Sequence, residues 1–306
     1  MKKLLTTIIL LISIGFIGYN YEEIVEYIMY NTVYKEDFII KEANVYEKQN
    51  TWQYVTETDN LYPTNKQDIL NIFYTALNRG YNEVTFFCTD VYENCIDDVE
   101  KITEDQTILS NINNFVSPYN SYNKILVNIN NFGRVNIEIS RLYSSEYINA
   151  LNQKIDEVYN SLITEDMSNY DKVKVIHDYI INNTVYDKER SNEISSGLIN
   201  NYSSSSTAYG ALFLGKAICG GYTDAMALFL DKMGIPNYKV ASEKHIWNLL
   251  YIDNEWKHLD LTWDDPVVTT GENILTHTFF LLTTEELKAK STDQHNYDLS
   301  IFIEAK

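Results

Sequence analysis

The chain has 306 residues, 45% hydrophobic and 13% aromatic, which is enough for two ordinary domains with real cores and excludes a disordered chain. Lysine and arginine total 24 against 43 aspartate and glutamate, a formal charge of −19. That sign argues against nucleic acid or an anionic membrane surface as a partner, because both are polyanions that select for basic patches.

Residues 1–18, MKKLLTTIILLISIGFIG, set two lysines ahead of an apolar run from Leu4 to Gly18. The pattern predicts a signal sequence or membrane anchor over residues 1–20, outside the fold. No small-x-small cleavage site and no cysteine for lipidation accompanies it, which favours an uncleaved anchor with the lysines inside and the rest of the chain outside. The expectation is an exported protein, anchored to the cell membrane through this segment only, or secreted.

Residues 19–60 are tyrosine-rich without a sustained period and read as a stalk and a first strand. From Thr64 to Gly80, Ile69, Ile72, Phe73, Ala76 and Leu77 make a helical stripe that Thr64 or Asn65 can cap and Gly80 ends. Glu83 to Thr89 reads as a strand, and Ile108 to Val116 as a helix that stops before Pro118. Lys124 to Asn130 and Arg134 to Ser140 alternate around Asn131-Phe132-Gly133, a hairpin signal. Cys88 and Cys95 either pair across six intervening residues or stay as two thiols; three cysteines do not make a disulfide scaffold. Nothing here concentrates chemistry, so residues 31–144 are expected to form a small α+β domain that positions or shields a catalytic domain over residues 145–306.

In that second part, Ser145 to Leu162 and Asn169 to Asn183 show helical stripes, and His177 falls among core positions of the latter. No two ligand-type residues have the spacing of a zinc site, so neither a metal nor a cofactor is expected. Asn183 to Thr207 is polar and irregular, either a mobile lid or a tolerated surface insertion. Towards the end, Thr278 to Leu282 reads as a strand and Thr284 to Lys288 as a short helix, while His277 and His295 have no evident partner.

Chemistry gathers between Gly215 and Pro266. Tyr222, Ala225, Met226, Phe229, Leu230 and Met233 form one buried helical face, stopped by Gly234 and Pro236. Cys219 then sits at the helix start, where unpaired N–H groups and the helix dipole favour a thiolate. Gly220 and Gly221 carry no side chain to wall off the sulfur. Ile246 to Ile252 and Trp256 to Trp263 read as strands joined at Asp253-Asn254, a pair that tolerates the positive φ of a tight turn. That register sets Ile252 against Glu255, Trp247 against Asp260 and His245 against Thr262, with the last four on one face. A nucleophile, a base and an orienting carboxylate are what thiol acyl transfer needs. Asp260 rather than Asp264 or Asp265 has the parity to serve as the carboxylate.

The segments Cys219-Gly220-Gly221-Tyr222, Gly234-Ile235-Pro236, His245-Ile246-Trp247-Asn248 and Asp260-Leu261-Thr262-Trp263-Asp264-Asp265-Pro266 resemble, in order and spacing, the core of bacterial transglutaminase-like proteins. The resemblance begins at residues 170–180, continues through 207–219, fades after Leu287 and covers less than half the chain. It implies an α+β, papain-like fold in which a helix bearing Cys219, the nucleophile, packs on an antiparallel sheet bearing His245, the base, and Asp260, its orienting acid. The implied substrate is a protein or peptide, cell-wall peptide included, attacked at an amide to give an acyl-enzyme that passes to water or to an amine. The Cys219 N–H is the first oxyanion donor expected. Papain-type enzymes place a glutamine shortly before the cysteine as the second, but Phe213 stands there, and Tyr209 is the candidate substitute. Gly220, Trp247 and Trp263 complete the expected pocket, and Trp247, Trp256 and Trp263 are candidates for walls that exclude water. The competing reading is a catalytically silent surface module that binds peptide or cell wall on the same fold, though such a module has no need of an ionisable trio on one face.

Overall fold

The computed structural model describes residues 2–28, 43–130, 132–196, 203–266, 274–291 and 293–306. Residues 1–42 form a unit of their own, with helices α1 (Lys2–Tyr19) and α2 (Tyr21–Ile28). Among the described residues no helix is long and apolar enough to cross a membrane. The apolar run is thus helical, but the anchor expected over residues 1–20 is not shown. Of the stalk and strand expected over 19–60, residues 21–28 are helix, 29–42 lie outside the described residues, and 43–60 carry no strand.

The second unit, residues 43–306, opens with α3 (Lys66–Asn78). Asn65 caps it by accepting from the Asp68 N–H, and Gly80, at φ 73°, turns the chain away. There follow β1 (Glu83–Phe87), α4 (Cys95–Glu104), α5 (Gln106–Asn113), β2 (Tyr122–Ile129) and β3 (Arg134–Arg141), the strands forming an antiparallel sheet in the order β1-β3-β2. Helix α4 is not foreshadowed in the sequence because it buries only Cys95, Val99 and Ile102. A Cys88–Cys95 disulfide ties the residue after β1 to its start. Next come α6 (Ser145–Leu162) and α7 (Asn169–Asn183), then β4 (Val185–Tyr186), α8 (Lys188–Ser195) and β5 (Lys216–Ala217), β4 and β5 pairing in parallel. The irregular stretch before the cysteine therefore contains a helix, and residues 197–202 of the expected lid lie outside the described residues.

The remaining elements are α9 (Cys219–Lys232), β6 (Asn237–Ala241), β7 (Ile246–Ile252), β8 (Glu255–Leu259), α10 (Leu261–Asp264) and α11 (Thr284–Lys290). Strands β6, β7 and β8 form an antiparallel sheet whose two faces are both covered. Tyr238, Val240, Trp247 and Leu249 join a core with Trp52, Phe73, Phe115 and Phe302. Leu250, Ile252 and Leu259 join another with α6, α7 and α9. A strand buried on both faces reads as a nearly continuous apolar run, and Ile246-Trp247-Asn248-Leu249-Leu250-Tyr251-Ile252 does. The division expected at 144/145 consequently does not separate two cores, since the earlier residues supply the cover for one face of this sheet.

Helix α9 is buried from Gly221 to Leu230, all round rather than along the single face its spacing suggests. It runs between the β6–β7 ribbon, α6, α7 and α10. A buried ion pair holds it: Asp224 accepts from Lys239 Nζ of β6 at 3.0 Å and from the Tyr143 hydroxyl at 2.7 Å. At the far end, the strand expected over 278–282 shrinks to one bridge between His258 and Leu282, because Leu281 takes a positive φ of 54° that no extended run sustains. Thr283 and Glu286 make a capping box at the start of α11.

Candidate active site

Helix α9 begins without a side-chain cap. Ile218 is extended, and Cys219 is the first helical residue, beyond the reach of intrahelical pairing for its N–H. The segment 205–207 lies against this start, with Ile218 N donating to Ser205 O at 2.8 Å. A Cβ on Gly221 would sit 2.6 Å from Ser205 O, and one on Gly220 3.1 Å from Ser206 O. The two glycines therefore admit the chain's own backbone, a different need from the open approach to sulfur that the sequence suggests. Gly220 does not line the cleft described below.

Asp253 and Asn254, at φ 51° and 66°, close the β7–β8 hairpin in the expected register, Ile252 opposite Glu255. The ladder closes at Asn248–Leu259. Strand β8 was expected to reach Trp263, with Thr262 opposite His245; instead it stops at Leu259 because Asp260 becomes the cap of α10. Its Oδ1 accepts from Thr262 N at 3.0 Å and Trp263 N at 3.2 Å. The cap fixes the carboxylate's rotation, and Oδ2 lies 2.6 Å from His245 Nε2.

With Nε2 committed to Asp260, the other ring nitrogen of His245 remains for a second partner, and the Cys219 thiol stands in the same cleft wall. Burial works against a charge on His245, but the Asp260 carboxylate and then Cys219 outweigh it and push its pKa up to about 10. Asp260 is fully buried, which would raise its pKa, yet His245 and His295 hold it well below the usual carboxylate range.

His295, which the sequence left without a partner, places Nε2 2.8 Å from the same Asp260 oxygen. It lies 35 residues from Asp260 in an irregular segment, so no periodicity brings the two together. Trp247 is buried behind His245 rather than lining the pocket: its ring stacks on His245 at 5.6 Å, and its Nε1 donates to His258 Nδ1 at 3.0 Å. Burial and then His295 depress the His258 pKa to about 3, which keeps it a neutral acceptor. Trp263 does line the cleft, 6.4 Å from the His245 ring. Trp256 packs on Trp52 and Tyr238, away from it. Tyr209 stacks between Tyr147 and Phe213 at 4.4 and 4.7 Å and is not brought to the cysteine's cleft.

That cleft has a volume of about 800 Å³, with Cys219 and His245 in its wall beside Tyr186, Ser191, Trp263 and Asp265. Asp265 accepts from the buried Tyr222 hydroxyl of α9, and its own burial raises its pKa. Asp264 faces elsewhere, taking Thr276 Oγ1 at 2.8 Å and Phe279 N at 2.9 Å and standing 3.3 Å from His177 Nε2. Among the described residues two groups have the composition and spacing to hold a metal ion: His177, Asp178 and His277, and His245, Asp260 and His295. In the first, Lys174 Nζ occupies the second oxygen of Asp178 at 2.9 Å, and in the second the carboxylate already takes both histidines.

Residues 156–261, which include Cys219, His245 and Asp260, match the family model of the transglutaminase-like superfamily, and the chain accordingly carries a transglutaminase-like domain. Among solved structures, a TGase is 19% identical over 57% of this chain and 50% of its own, with a TM-score of 0.36. A proposed cysteine protease from Cytophaga hutchinsonii is 14% identical over 50% of this chain and 65% of its own, with a TM-score of 0.28. The chain thus spans about half the length of the first and under two thirds of the second. A comparison with the curated proteins found no match.

Proposed function

We propose that this protein is a thiol enzyme that cleaves amide bonds of proteins or peptides, with Cys219 as nucleophile, His245 as acid and base, and Asp260 as the residue that orients the imidazole. The observation that carries the reading is the convergence of a free thiol at a helix start, a histidine in the same cleft wall, and a buried carboxylate 2.6 Å from that histidine's Nε2. The thiolate attacks the carbonyl carbon, and the developing oxyanion meets the N–H groups at the start of α9. As the tetrahedral adduct collapses, the C–N bond breaks and the His245 imidazolium gives its proton to the leaving amine. The neutral imidazole then takes a proton from water as it attacks the thioester, releasing a carboxylic acid and the thiol.

Hydrolysis is the primary fate in this reading. Among the described residues the cleft wall has a single tryptophan, Trp263, and otherwise mixes aliphatic and aromatic groups with Ser191, Ser195, Glu243, Lys244 and Asp265. Amine transfer requires water to be excluded, and polar walls favour its entry. The site of action proposed is outside the cytoplasm, supported by the lysine-then-apolar start and by the Cys88–Cys95 disulfide, a bond characteristic of oxidising compartments.

The test incubates the full chain with fluorescently labelled casein and with peptidoglycan stem peptides, each with and without a fluorescent primary amine. The expected result is peptide release that Cys219→Ala abolishes, with little amine incorporation. Incorporation exceeding release would reassign the enzyme to cross-linking. No turnover, together with Cys219 alkylating no faster than free cysteine, would leave a binding module.

A further inference from the structure

Beyond the end of the β7–β8 ladder, nothing in the sheet holds base and acid in register: the last pair is Asn248–Leu259, and His245 and Asp260 both lie outside it. The segment at residues 294–295 spans that gap. The Gln294 carbonyl accepts from Ser242 Oγ at 2.6 Å, and Ser242 N in turn donates to His245 O at 2.9 Å, so Gln294 holds the loop that carries the base. One residue on, His295 reaches Asp260 Oδ2 at 2.8 Å. The carboxylate's acceptor sites are then filled, Oδ1 by the Thr262 and Trp263 N–H groups and Oδ2 by the two histidines.

The His295 ring is fully buried and boxed by Trp247 at 4.8 Å, Trp263 at 4.9 Å and Phe279 at 5.3 Å. Its Nδ1 is buried with no partner among the described residues. A phenyl ring would fill this aromatic box without orphaning a nitrogen, so packing alone does not call for histidine here. What the polar ring adds is the bond to Asp260, and only a proton on Nε2 makes that bond.

We propose that Gln294 and His295 form a clamp in which His295 is a positioning residue: its Nε2–H holds the Asp260 carboxylate in the rotation that presents Oδ2 to His245. The inference rests on the thiol-enzyme reading above. It makes the centre a four-residue line, Cys219, His245, Asp260 and His295, of which the last two never touch substrate.

The experiment compares the full chain with H295F, which keeps the aromatic packing, H295Q, which keeps a donor at the same reach, and S242A, which cuts the other arm of the clamp. Two readouts are taken beside thermal melts: the rate of Cys219 carboxymethylation by iodoacetamide, and kcat and KM on labelled casein. H295F is expected to lose about tenfold or more in alkylation rate and kcat, with KM within about twofold, because a misaimed acid affects the chemical step rather than binding. H295Q is expected to recover to within about threefold of the native chain, which a residue needed only for folding would not do. A folded H295F with unchanged alkylation and kcat, or an H295Q as impaired as H295F, overturns the proposal. If H295F does not fold, S242A decides it: severalfold slower alkylation supports the clamp, and an unchanged rate overturns it. Slow alkylation in the native chain itself would instead sink the thiol-enzyme reading, so the two failures are distinguishable.

Discussion

Helix α10 is only four residues long, and each of its ends carries an aspartate set against histidines. At the N-terminal end, Asp260 meets His245 and His295; at the C-terminal end, Asp264 meets His177, which also contacts Asp178, itself paired with His277. Residue types are the same, although the Asp264–His177 contact, at 3.3 Å, is longer than the 2.6 and 2.8 Å contacts of Asp260. What separates the two centres is what lies on the far side of the histidine. His245 stands with a thiol in the wall of a cleft, whereas His177 is fully buried, 5.1 Å from the Phe280 ring, and among the described residues bonds to carboxylates alone. A histidine–carboxylate pair is thus no sign of catalysis until a reactive group is found on the imidazole's remaining nitrogen.

The strongest way to break this comparison is to blunt each aspartate with the isosteric amide. Asp260→Asn should reduce kcat by about two to four orders of magnitude, because the amide no longer fixes the tautomer that leaves a lone pair for the cysteine proton. Asp264→Asn loses the ionic acceptor for Thr276, Phe279 and His177, a cost of about 1–3 kcal/mol and several degrees in Tm, with kcat nearly unchanged. Steady-state kinetics with melts on both variants check this. Equal losses of kcat in two folded variants would mean the far centre also serves the chemistry.

The second effect is in the pH dependence. The His245 pKa is raised in the folded protein from 6.5 to about 10, so the stability it contributes is complete below about pH 6.5 and disappears as the pH rises through about 10. Asp260 is shifted the other way, below 3.8, so its contribution is present above that value and is lost as the pH falls further. Amide cleavage, in which the His245 imidazolium must protonate the leaving amine, should persist well into the alkaline range. In Asp260→Asn the carboxylate's attraction is gone while burial still opposes the charge, so the alkaline limb must move to lower pH. A limb that does not move would show that Asp260 does not govern the histidine.

The near centre was far more legible in the sequence than the far one. Cys219 is announced by a helix start, and the Asp253-Asn254 turn fixes the hairpin register as far as Asn248–Leu259, just short of His245 and Asp260. The reason Asp260 faces the base is still only half contained in strand parity, since the strand ends at Leu259 and the side chain is aimed by capping α10. His295 and His277 arrive from the irregular tail, whose path depends on what it packs against rather than on any period. Tyr209 misled for the same reason: it lies ten residues before the cysteine, but the chain between makes a π-helical turn at Gly210–Leu214 and swings the ring onto Tyr147. The shared core escaped a reading by halves, because the sequence of β7 shows that both faces are apolar but does not say which part of the chain covers them.

The smallest expected effect gives the sharpest contrast with His295. His277 places Nε2 2.6 Å from Asp178 Oδ1, a contact as short as any at the near centre, but its side chain is 35% exposed and that of Asp178 27%. Solvent screens such a pair, and exposed ion pairs contribute about 0–1 kcal/mol. Asp178 also keeps two other partners when His277 is removed, Lys174 Nζ at 2.9 Å and His177 Nδ1 at 2.9 Å, so no buried acceptor is orphaned. His277→Ala should therefore lower stability by at most about 1 kcal/mol in a urea titration and leave both kcat and the Cys219 alkylation rate unchanged. H295F, at nearly the same hydrogen-bond distance, is expected to cost tenfold or more in both rates. Distance is not what distinguishes the two histidines; burial is, together with the identity of the carboxylate each one holds. A His277→Ala variant that slowed alkylation as much as H295F would show that strain at the far end of α10 reaches Asp260 through its single turn, and the two centres would have to be treated as one.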